Sequence, residues 1–436
     1  MQVKLPDHIE YVLNQLKIHG FQAVIVGGAV RDLLMNRIPR DFDVLCSARP
    51  AEVEKLFART LPIGHKHGTT VVMVGDRRVE ISSCRGFDSG DWDAMLKDDL
   101  LHRDFTVNAM AMDEEGNLID PYGGRQDIAR KLIRVPENRA EERFRDDPLR
   151  MLRAVRLAAV LDFELDASLL PAIEKCSALI ESVSAERIRE ELIYILTSSH
   201  PAAGLRLMVE TGLMQRIIPE VMAMVGFEQY NPAHVNDVFN HSLAVVENVP
   251  NKLEMRLAAL LHDIGKPATF TMDSCGIGHF YHHQQESQRQ TLEILKRLKF
   301  SRAVIDKVSI LVGNHMYWLK KPDREGVARL LMQVGEDNLP DLFTLQKADI
   351  TGSASFHDIS FIDQAERIYQ EMVASGLPLK LRDLAVNGYD LMEIGYQADA
   401  KLGQALQVLW EMVLTNLVEN NQARLLAAAR ELLPTL

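Results

Sequence analysis

Two carboxylates one residue apart, Asp41 and Asp43, are the residues of this chain whose type and spacing point most directly to chemistry. They lie in residues 40–45, RDFDVL, which are predicted to form a β-strand. Because side chains alternate along a strand, both carboxylates lie on one face, with Phe42 and Val44 on the other. Magnesium prefers oxygen ligands, and a pair of metal ions serves in-line attack at phosphorus. We therefore predict that Asp41 and Asp43 are catalytic residues that hold Mg²⁺.

The segment before these aspartates has the order of elements that a nucleotide triphosphate site needs. Residues 23–26, AVIV, are typical of a buried strand, and Gly27 and Gly28 allow the chain to turn and another molecule to approach its backbone. A helix that begins at residues 31–34 follows, and the unpaired N–H groups of a helix start suit a phosphate. An Asp-x-Asp motif alone more often marks a solvated strand edge, but strand, double glycine, helix and Arg31 in this order favour a functional site.

A third carboxylate follows in a predicted hairpin. Residues 69–74 and 78–82 are typical of two strands that turn at Gly75 and Asp76. If the second of these strands lies beside the strand of Asp41 and Asp43, Glu80 joins the pair of aspartates. A surface glutamate is an equally good interpretation of Glu80.

A charged row lies on a helix predicted to begin at residues 146–148, where Pro suits the first turn and Asp suits the cap. The row is spaced so that each side chain contacts the next while it slants around the helix, and at most three members can face one ligand. Its members are Asp147, Arg150, Arg153 and Arg156. A solvated charged stripe with one cap residue is the alternative.

Length and charge limit the classes of protein. A chain of 436 residues is too long for one core, and beyond residue 134 helical periodicity continues almost to the end, which predicts an α+β protein with a small α/β head and a long helical remainder. The net charge of −12 argues against general affinity for nucleic acid, although residues 125–156 contain ten basic and six acidic side chains. The composition is therefore compatible with a nucleic-acid partner if it binds at that basic stretch.

The chain has no predicted segment for a membrane or for export. No apolar run approaches the ~20 residues that span a bilayer, and the N-terminal residues resemble an amphipathic helix rather than a signal peptide. The four cysteines, at positions 46, 84, 176 and 275, lack CxxC spacing, so we expect reduced core residues. These features predict a cytoplasmic protein without a membrane partner.

Six ordered motifs resemble those of the class II tRNA nucleotidyltransferase family, which includes CCA-adding enzymes and bacterial poly(A) polymerases. They are GGAVRD at 27–32, RDFDVL at 40–45, HRDFTVNAMA at 102–111, DPYGGRQDI at 120–128, DDPLRMLRAVRLAA at 146–159 and AERIREEL at 185–192. The resemblance implies a nucleotidyltransferase head with a mixed sheet at 1–140, a helical neck at 141–222, a helical body at 223–365 and a tRNA-binding tail at 366–436. Residues 387–391 and Gly403 resemble that tail.

The resemblance also assigns roles to residues. Asp41 and Asp43 would hold the catalytic magnesium. Contacts to the triphosphate would come from Gly28 and Arg31, and contacts to ribose and phosphates from Arg103, Asp104 and Asn108. The base would be read by Asp147 and Arg150, supported by Arg153 and Arg156. His102 stands where the family usually has Arg, and Asp146 where it usually has Glu.

The chemistry of base reading by Asp147 and Arg150 is sound by itself. A carboxylate accepts a hydrogen bond from the exocyclic amino group of cytosine or adenine, and an arginine donates to the ring acceptor beside it. Uracil and guanine place an oxygen there, which leaves a buried carboxylate unpaired. The resemblance thus implies template-independent addition of nucleotides from CTP or ATP to tRNA 3′ ends, with release of pyrophosphate, and a tRNA partner rather than DNA.

The connection over residues 81–101 refines this expectation. It is shorter than in CCA-adding members, where a longer flexible loop is associated with reshaping the pocket from CTP to ATP, and so resembles the CC-adding branch. We expect a CC-adding enzyme, with a full CCA-adding enzyme or a poly(A) polymerase as alternatives.

The helical body resembles HD-domain metal phosphohydrolases in the order of its ligand-type residues, which are His241, His262, Asp263, His283, His315 and Asp349. Imidazole and carboxylate ligands on adjacent helices suit a second divalent metal. The resemblance implies a phosphatase or 2′,3′-cyclic phosphodiesterase acting on RNA ends, or a vestigial site kept for structure. Two further alternatives are a hydrolase whose head only binds nucleotide or RNA, and an RNA-binding factor without turnover.

Overall fold

The computed structural model describes residues 5–61, 68–84, 91–230, 236–353 and 358–433. It has a seven-stranded mixed sheet near the N-terminus and is otherwise mostly helical, which confirms the predicted α+β class. The chain divides into two compact units, one of residues 1–195 with 206–216, the other of residues 196–205 with 217–436. The four-domain division proposed from the sequence stays a prediction.

The first unit contains the strands β1 (Ala23–Val26), β2 (Asp43–Cys46), β3 (Thr60–Leu61), β4 (Thr69–Val74), β5 (Arg77–Ser83), β6 (Ala111–Met112), β7 (Leu118–Ile119), β8 (Leu132–Ile133) and β9 (Glu164–Leu165). The large sheet has the order β3-β4-β5-β2-β1-β6-β7, in which β2 and β5 pair in parallel and the other neighbours pair antiparallel. The hairpin predicted around Gly75 is confirmed, because β4 pairs with β5 and Gly75 has φ +59°.

The helices up to residue 217 are α1 (Asp7–Ile18), α2 (Gly28–Leu34), α3 (Pro50–Leu56), α4 (Trp92–Leu101), α5 (Gly124–Ala129), α6 (Ala140–Asp146), α7 (Leu149–Leu161), α8 (Leu169–Cys176), α9 (Ala185–Leu196), α10 (Pro201–Glu210) and α11 (Leu213–Ile217). Both faces of the central strands β1 and β2 are buried. Ile25 and Val44 pack into a core with α1, α2 and α3, whereas Val24, Val26 and Leu45 pack into a core with α4. This alternation follows from the period of two along each strand.

Three local predictions need correction. The strand predicted at 40–45 begins only at Asp43, because its partner β1 ends at Val26, which pairs with Asp43, before the chain turns at Gly27. For the same reason the helix predicted to begin at 31–34 already begins at Gly28. Pro148 is the N-cap of α7 rather than a residue of its first turn.

The second unit is built from α12 (Pro219–Met222), α13 (Val238–Asn248), α14 (Leu253–Leu261), α15 (Lys266–Thr269), α16 (His283–Arg297), α17 (Arg302–Asn314), α18 (Arg324–Val334), α19 (Leu339–Gly352), α20 (Ser360–Ala374), α21 (Gly388–Glu393), α22 (Ala400–Leu414), α23 (Gln422–Leu432) and the hairpin of β10 (Phe270–Met272) and β11 (Gly278–Phe280). Cys275, in this hairpin, is exposed, so the prediction of a core residue was wrong there; the other three cysteines are buried. Within the described ranges, every helix is too short or too polar to cross a bilayer.

Candidate active site and metal centre

Three carboxylates converge at the parallel pair of strands in the large sheet. Asp43 on β2 is the register partner of Glu80 on β5. Asp41, Asp43 and Glu80 line one cleft of about 370 Å³ together with Phe42 and Arg78, which we call the carboxylate cleft. The Arg78 guanidinium donates to Glu80 Oε1 at 2.6 Å. The strand of Glu80 thus lies beside the strand of Asp43, which is the condition under which Glu80 would be a third carboxylate of the site.

The charge of this cleft fits a cation. Loss of hydration raises the pKa of Asp43 above its usual value; Arg103 opposes this rise, and the negative charges of Glu80 and Asp41 add to it. A divalent ion beside Asp43 offsets the repulsion between its carboxylate and the neighbouring negative charges. The residues present thus fit Mg²⁺.

A glycine turn brings Arg103 over the carboxylate cleft. Gly27 has φ +76°, and a Cβ atom added there would lie 2.8 Å from Arg103 Nη1 and 3.6 Å from Asp43 Oδ2. A larger residue at position 27 would be strained and would displace the arginine. The double glycine predicted to admit a ligand thus also admits a side chain of the protein.

The predicted phosphate and ribose contacts form one hydrogen-bond network. The Arg31 guanidinium donates to Asn108 Oδ1 at 2.8 Å, and Asn108 Nδ2 donates to Asp104 Oδ1 at 3.3 Å. Arg31 also pairs with Asp32 at 2.7 Å, and its side chain lies 3.5 Å from the position of a Cβ atom on Gly28. The structure brings these predicted residues together although 77 positions separate Arg31 from Asn108.

The predicted base-reading residues lie at the break between α6 and α7. Asp147 is extended, with φ −146° and ψ 99°, as is usual before a proline, and its Oδ1 accepts from the Leu149 N–H at 3.3 Å. Arg150 Nη2 donates to the His102 carbonyl at 3.3 Å, next to Arg103. A chain of contacts therefore runs from the carboxylate cleft to this break.

Two residues of α9, Arg187 and Glu191, belong to this region and were missed by sequence reasoning. Arg187 Nη2 holds both oxygens of Asp147, at 3.2 and 3.1 Å. Glu191 is buried and lies 3.3 Å from Arg153 Nε and 3.1 Å from Arg156 Nε. Burial raises the pKa of Glu191 even though both arginines oppose the rise. The motif AERIREEL marked the helix, but nothing in it assigned these partners.

The six ligand-type residues predicted in the helical body form one buried cluster in the second unit. In its first group, His241 Nε2 lies 3.0 Å from Asp349 Oδ1 and 3.3 Å from His262 Nε2, and His262 Nε2 lies 3.2 Å from Asp263 Oδ2. Ligand atoms bound at about 2.1 Å are roughly 3.0–3.4 Å apart in octahedral or tetrahedral shells. The His262 Nδ1–H donates to the Ala259 carbonyl at 2.9 Å, which leaves Nε2 as the ligand atom.

The second group shares Asp263 with the first. Asp263 Oδ1 lies 3.3 Å from His283 Nε2 and 3.7 Å from His315 Nε2, and the two Nε2 atoms lie 3.2 Å apart. The Nδ1–H groups of these rings donate to the carbonyls of Phe280 and Val312. Burial lowers the pKa of His315, which favours its neutral form, and because its Nδ1–H donates to the Val312 carbonyl its Nε2 atom carries the lone pair. This lone pair is turned towards His283 and Asp263, an arrangement that suits a cation.

Lys266 borders this cluster and was also missed. Its ammonium lies 2.7 Å from Asp263 Oδ2 and donates to Gln229 Oε1 at 2.9 Å, while its side chain is only 7% exposed. Although burial opposes ionisation of Asp263, its histidine and lysine neighbours hold the pKa of its carboxyl well below the usual value. Asp263 is therefore an ionised, buried carboxylate, and each of its two oxygens faces one of the two groups of ligand-type residues.

Comparison with known proteins gives the family. The CCA-adding enzyme of Geobacillus stearothermophilus is 32% identical over 433 residues, covering 95% of this chain and 94% of that protein. The chain belongs to the class II tRNA nucleotidyltransferase and poly(A) polymerase family. The Bacillus velezensis CCA-adding enzyme is also 32% identical, with 94% of each chain covered. The solved CCA-adding enzyme of Bacillus stearothermophilus in complex with CTP matches with a TM-score of 0.71 at 28% identity, over 99% of both chains.

Three family models match separate segments of the present chain. Residues 23–134 match the "Poly A polymerase head domain", residues 162–224 the "probable RNA and SrmB-binding site of polymerase A", and residues 273–429 "tRNA nucleotidyltransferase domain 2". The head match confirms a nucleotidyltransferase head. The HD-type assignment of the helical body stays a prediction.

Proposed function

We propose that the chain is a template-independent nucleotidyltransferase that adds nucleotides from CTP or ATP to tRNA 3′ ends. The observation that carries the proposal is the convergence of Asp41, Asp43 and Glu80 in one cleft beside Arg103. In the reaction, the RNA 3′-hydroxyl forms a bond to the α-phosphorus while the bond to the bridging oxygen breaks and pyrophosphate leaves. Family membership and the CTP complex of the solved relative support the substrate class.

The residues of the chain have separate tasks in this proposal. Asp41 and Asp43 hold the cation site beside the reacting phosphorus. When bound, Mg²⁺ favours the deprotonated 3′-hydroxyl and stabilises the leaving oxygens. Arg31 and Arg103 neutralise triphosphate oxygens, and the Asn108 network keeps Arg31 in place.

Base selection rests on Asp147 and Arg150. Arg187 fixes the Asp147 carboxylate from one side, so its free lone pairs can accept from the amino group of cytosine or adenine. Arg150 is held at the His102 carbonyl and can donate to the ring acceptor beside that amino group. The uracil base of UTP would present an oxygen to the Asp147 carboxylate. Two acceptors would then face each other, and leaving the carboxylate without a donor costs free energy.

We further propose that addition stops after two cytidines. The support is the short connection after the catalytic strands: β5 ends at Ser83 and α4 begins at Trp92, so the eight residues 84–91 connect them, of which 85–90 lie outside the described residues. A connection this short leaves little chain for reshaping the pocket around a larger purine. Completion of CCA and addition of adenosine alone are the alternative products.

One assay tests both proposals. A tRNA transcript without its 3′ tail is incubated with each nucleotide and then with CTP and ATP together, and the product ends are sequenced. Two added cytidines support the CC-adding assignment, whereas a complete CCA end or an adenosine tail contradicts it. The variant Asp43→Asn should lose incorporation, while Asp93→Asn, at an exposed position in the first turn of α4, is the matched control; an active Asp43→Asn would overturn the transferase site.

A second candidate function is favoured by the buried metal cluster of the second unit. We propose that it holds divalent metal and hydrolyses phosphate esters at RNA ends, such as 2′,3′-cyclic phosphates. The ligand-type residues form two groups that share Asp263, and each group would hold one divalent ion, which would supply Lewis-acid activation of the phosphate ester. Lys266, at 2.7 Å from Asp263 Oδ2, holds the carboxylate in that orientation.

Metal content and hydrolysis test this second function independently of the head. In an Asp41→Asn/Asp43→Asn background, we expect about two equivalents of Mn²⁺ or Co²⁺ per chain by elemental analysis, and His283→Ala should lower this number. Hydrolysis of an RNA ending in a 2′,3′-cyclic phosphate should persist in that background and vanish with Asp263→Asn. Metal-free protein that resists loading would favour the vestigial site.

A further inference from the structure

A second cleft opens beside the carboxylate cleft and shares Asp41, Phe42 and Arg78 with it. Its volume is about 550 Å³, within the range of ligand-binding pockets. The loop between α2 and β2 and the turn between β4 and β5 supply its walls. We call it the arginine cleft, after its four guanidinium groups, which belong to Arg37, Arg40, Arg77 and Arg78.

The arginine cleft is positively charged within an acidic chain. Its acidic lining residues are Asp41, at the border with the carboxylate cleft, and Asp76. Burial and the charge of Arg77 lower the pKa of His8, so this neighbouring ring is neutral at pH 7. The chain as a whole carries a net charge of −12, so a cleft lined by four arginines differs in charge from the chain average.

Three of these arginines lack acidic partners. Across the described ranges, no carboxylate lies within ion-pairing distance of the Arg37, Arg40 or Arg77 guanidinium, whereas Arg78 is paired with Glu80 at 2.6 Å. The three unpaired side chains are exposed. Free guanidinium groups that line a concave surface suit phosphate oxygens, which they can bind in a bidentate manner.

The same cleft offers apolar surface. Ile38 is 95% exposed, and Phe42 is only partly buried at the border of the two clefts. Exposed aromatic and aliphatic side chains beside basic groups are the usual platform for unstacked bases of single-stranded RNA.

The position of the arginine cleft relative to the carboxylate cleft indicates which of the two substrates it binds. In-line displacement needs the attacking hydroxyl and the leaving pyrophosphate on opposite sides of the phosphorus. Arg103 lies on the Asp43 side of the carboxylate cleft, while the arginine cleft includes Asp41 but not Asp43 in its lining. The triphosphate therefore belongs to the Arg103 side, and the side of Asp41 remains for the RNA.

We propose that the arginine cleft binds the single-stranded 3′ end of the acceptor RNA, an inference that rests on the proposed transferase function. Arg37 and Arg77 contact its phosphates, Phe42 and Ile38 pack against a base, and the terminal hydroxyl reaches Asp41. The cleft thus supplies affinity for the acceptor strand and leaves nucleotide binding to the Arg103 side.

Steady-state kinetics distinguish an effect on tRNA binding from an effect on nucleotide binding. For Arg37→Gln/Arg77→Gln we expect the KM for tRNA to rise roughly tenfold, which corresponds to the loss of two exposed charge-assisted contacts. The KM for CTP and kcat should change less than about twofold. The slope of log affinity against log salt should fall by about 1.4 for two contacts to single-stranded RNA. The matched control is Arg289→Gln/Arg302→Gln, which removes two exposed arginines of α16 and α17, outside the cleft and outside the basic stretch at 125–156.

The affinities for two RNAs test whether the arginine cleft binds the unpaired 3′ end of the acceptor. Fluorescence anisotropy compares wild type and the double variant on tRNA with and without its unpaired 3′ nucleotides; the difference in affinity should disappear on the shortened RNA. An equal difference on both RNAs, or none on either, overturns the proposal. If wild type incorporates no nucleotide, the transferase function fails, while this binding comparison still judges the cleft.

Discussion

Glu191→Gln removes one negative charge from between Arg153 and Arg156 while keeping the size of the side chain. The Glu191 side chain is 8% exposed, and its carboxylate oxygens lie 3.3 and 3.1 Å from the two Nε atoms. Arg153 Nε donates a charge-assisted hydrogen bond to Glu191, worth about 1.5–3 kcal/mol, and Arg156 adds an ion pair without a hydrogen bond. Removing a carboxylate from water costs several kcal/mol. Since burial raises the pKa of Glu191 against both arginines, the desolvation cost exceeds their attraction. We expect the free energy of unfolding at pH 7 to change by less than about 1 kcal/mol.

The pH dependence has a definite sign. A glutamate whose pKa is raised on folding contributes stability that is present below its unfolded pKa and is lost as the pH rises through its folded pKa. Glutamine does not titrate. The stability of Glu191→Gln relative to wild type should therefore increase as the pH rises from about 4 towards 8, and urea unfolding at several pH values measures this difference.

Function should respond more than stability. Without Glu191, Arg153 and Arg156 lose the group that orients them behind the base-reading residues, and we expect the KM for CTP to rise about five- to tenfold. Single-nucleotide incorporation on tRNA lacking its tail measures this, with exposed Glu190→Gln as the control. A variant that is 3 kcal/mol or more less stable at pH 7, yet has a wild-type KM, would refute the reasoning.

Three further predictions follow from single contacts. Asp43→Asn should raise the Tm of the metal-free protein at pH 7 while abolishing incorporation, because the raised pKa means that the ionised carboxylate destabilises the fold; thermal unfolding in a chelator checks this, and an unchanged or lower Tm contradicts it. Asp147→Asn should reduce the preference for CTP over UTP by about 5- to 150-fold, because an amide can donate as well as accept; incorporation from mixed nucleotides measures the ratio. Gly265→Ala should lower the Tm and the metal content, since a Cβ atom there would lie 2.6 Å from the Ser287 backbone N and 2.7 Å from the His283 carbonyl; elemental analysis and thermal unfolding show both.

The sequence alone determined the features that depend on neighbouring residues. The hairpin of β4 and β5 follows from alternating apolar residues around Gly75, and the α+β division follows from the change of periodicity after residue 134. The family followed from motif order. Element ends were less predictable: β2 begins at Asp43 because β1 ends where Gly27 turns, which is a property of the partner strand.

Tertiary structure alone decided which distant groups meet. The parallel register of β2 and β5 places Glu80 beside Asp43, and no local pattern specifies that pairing. The same holds for Glu191 between two arginines of α7, and for Asp263, whose two oxygens face different pairs of histidines. Such contacts arise when packing of whole elements fixes their relative position, so the sequence names the ligands while the fold decides which of them share a site.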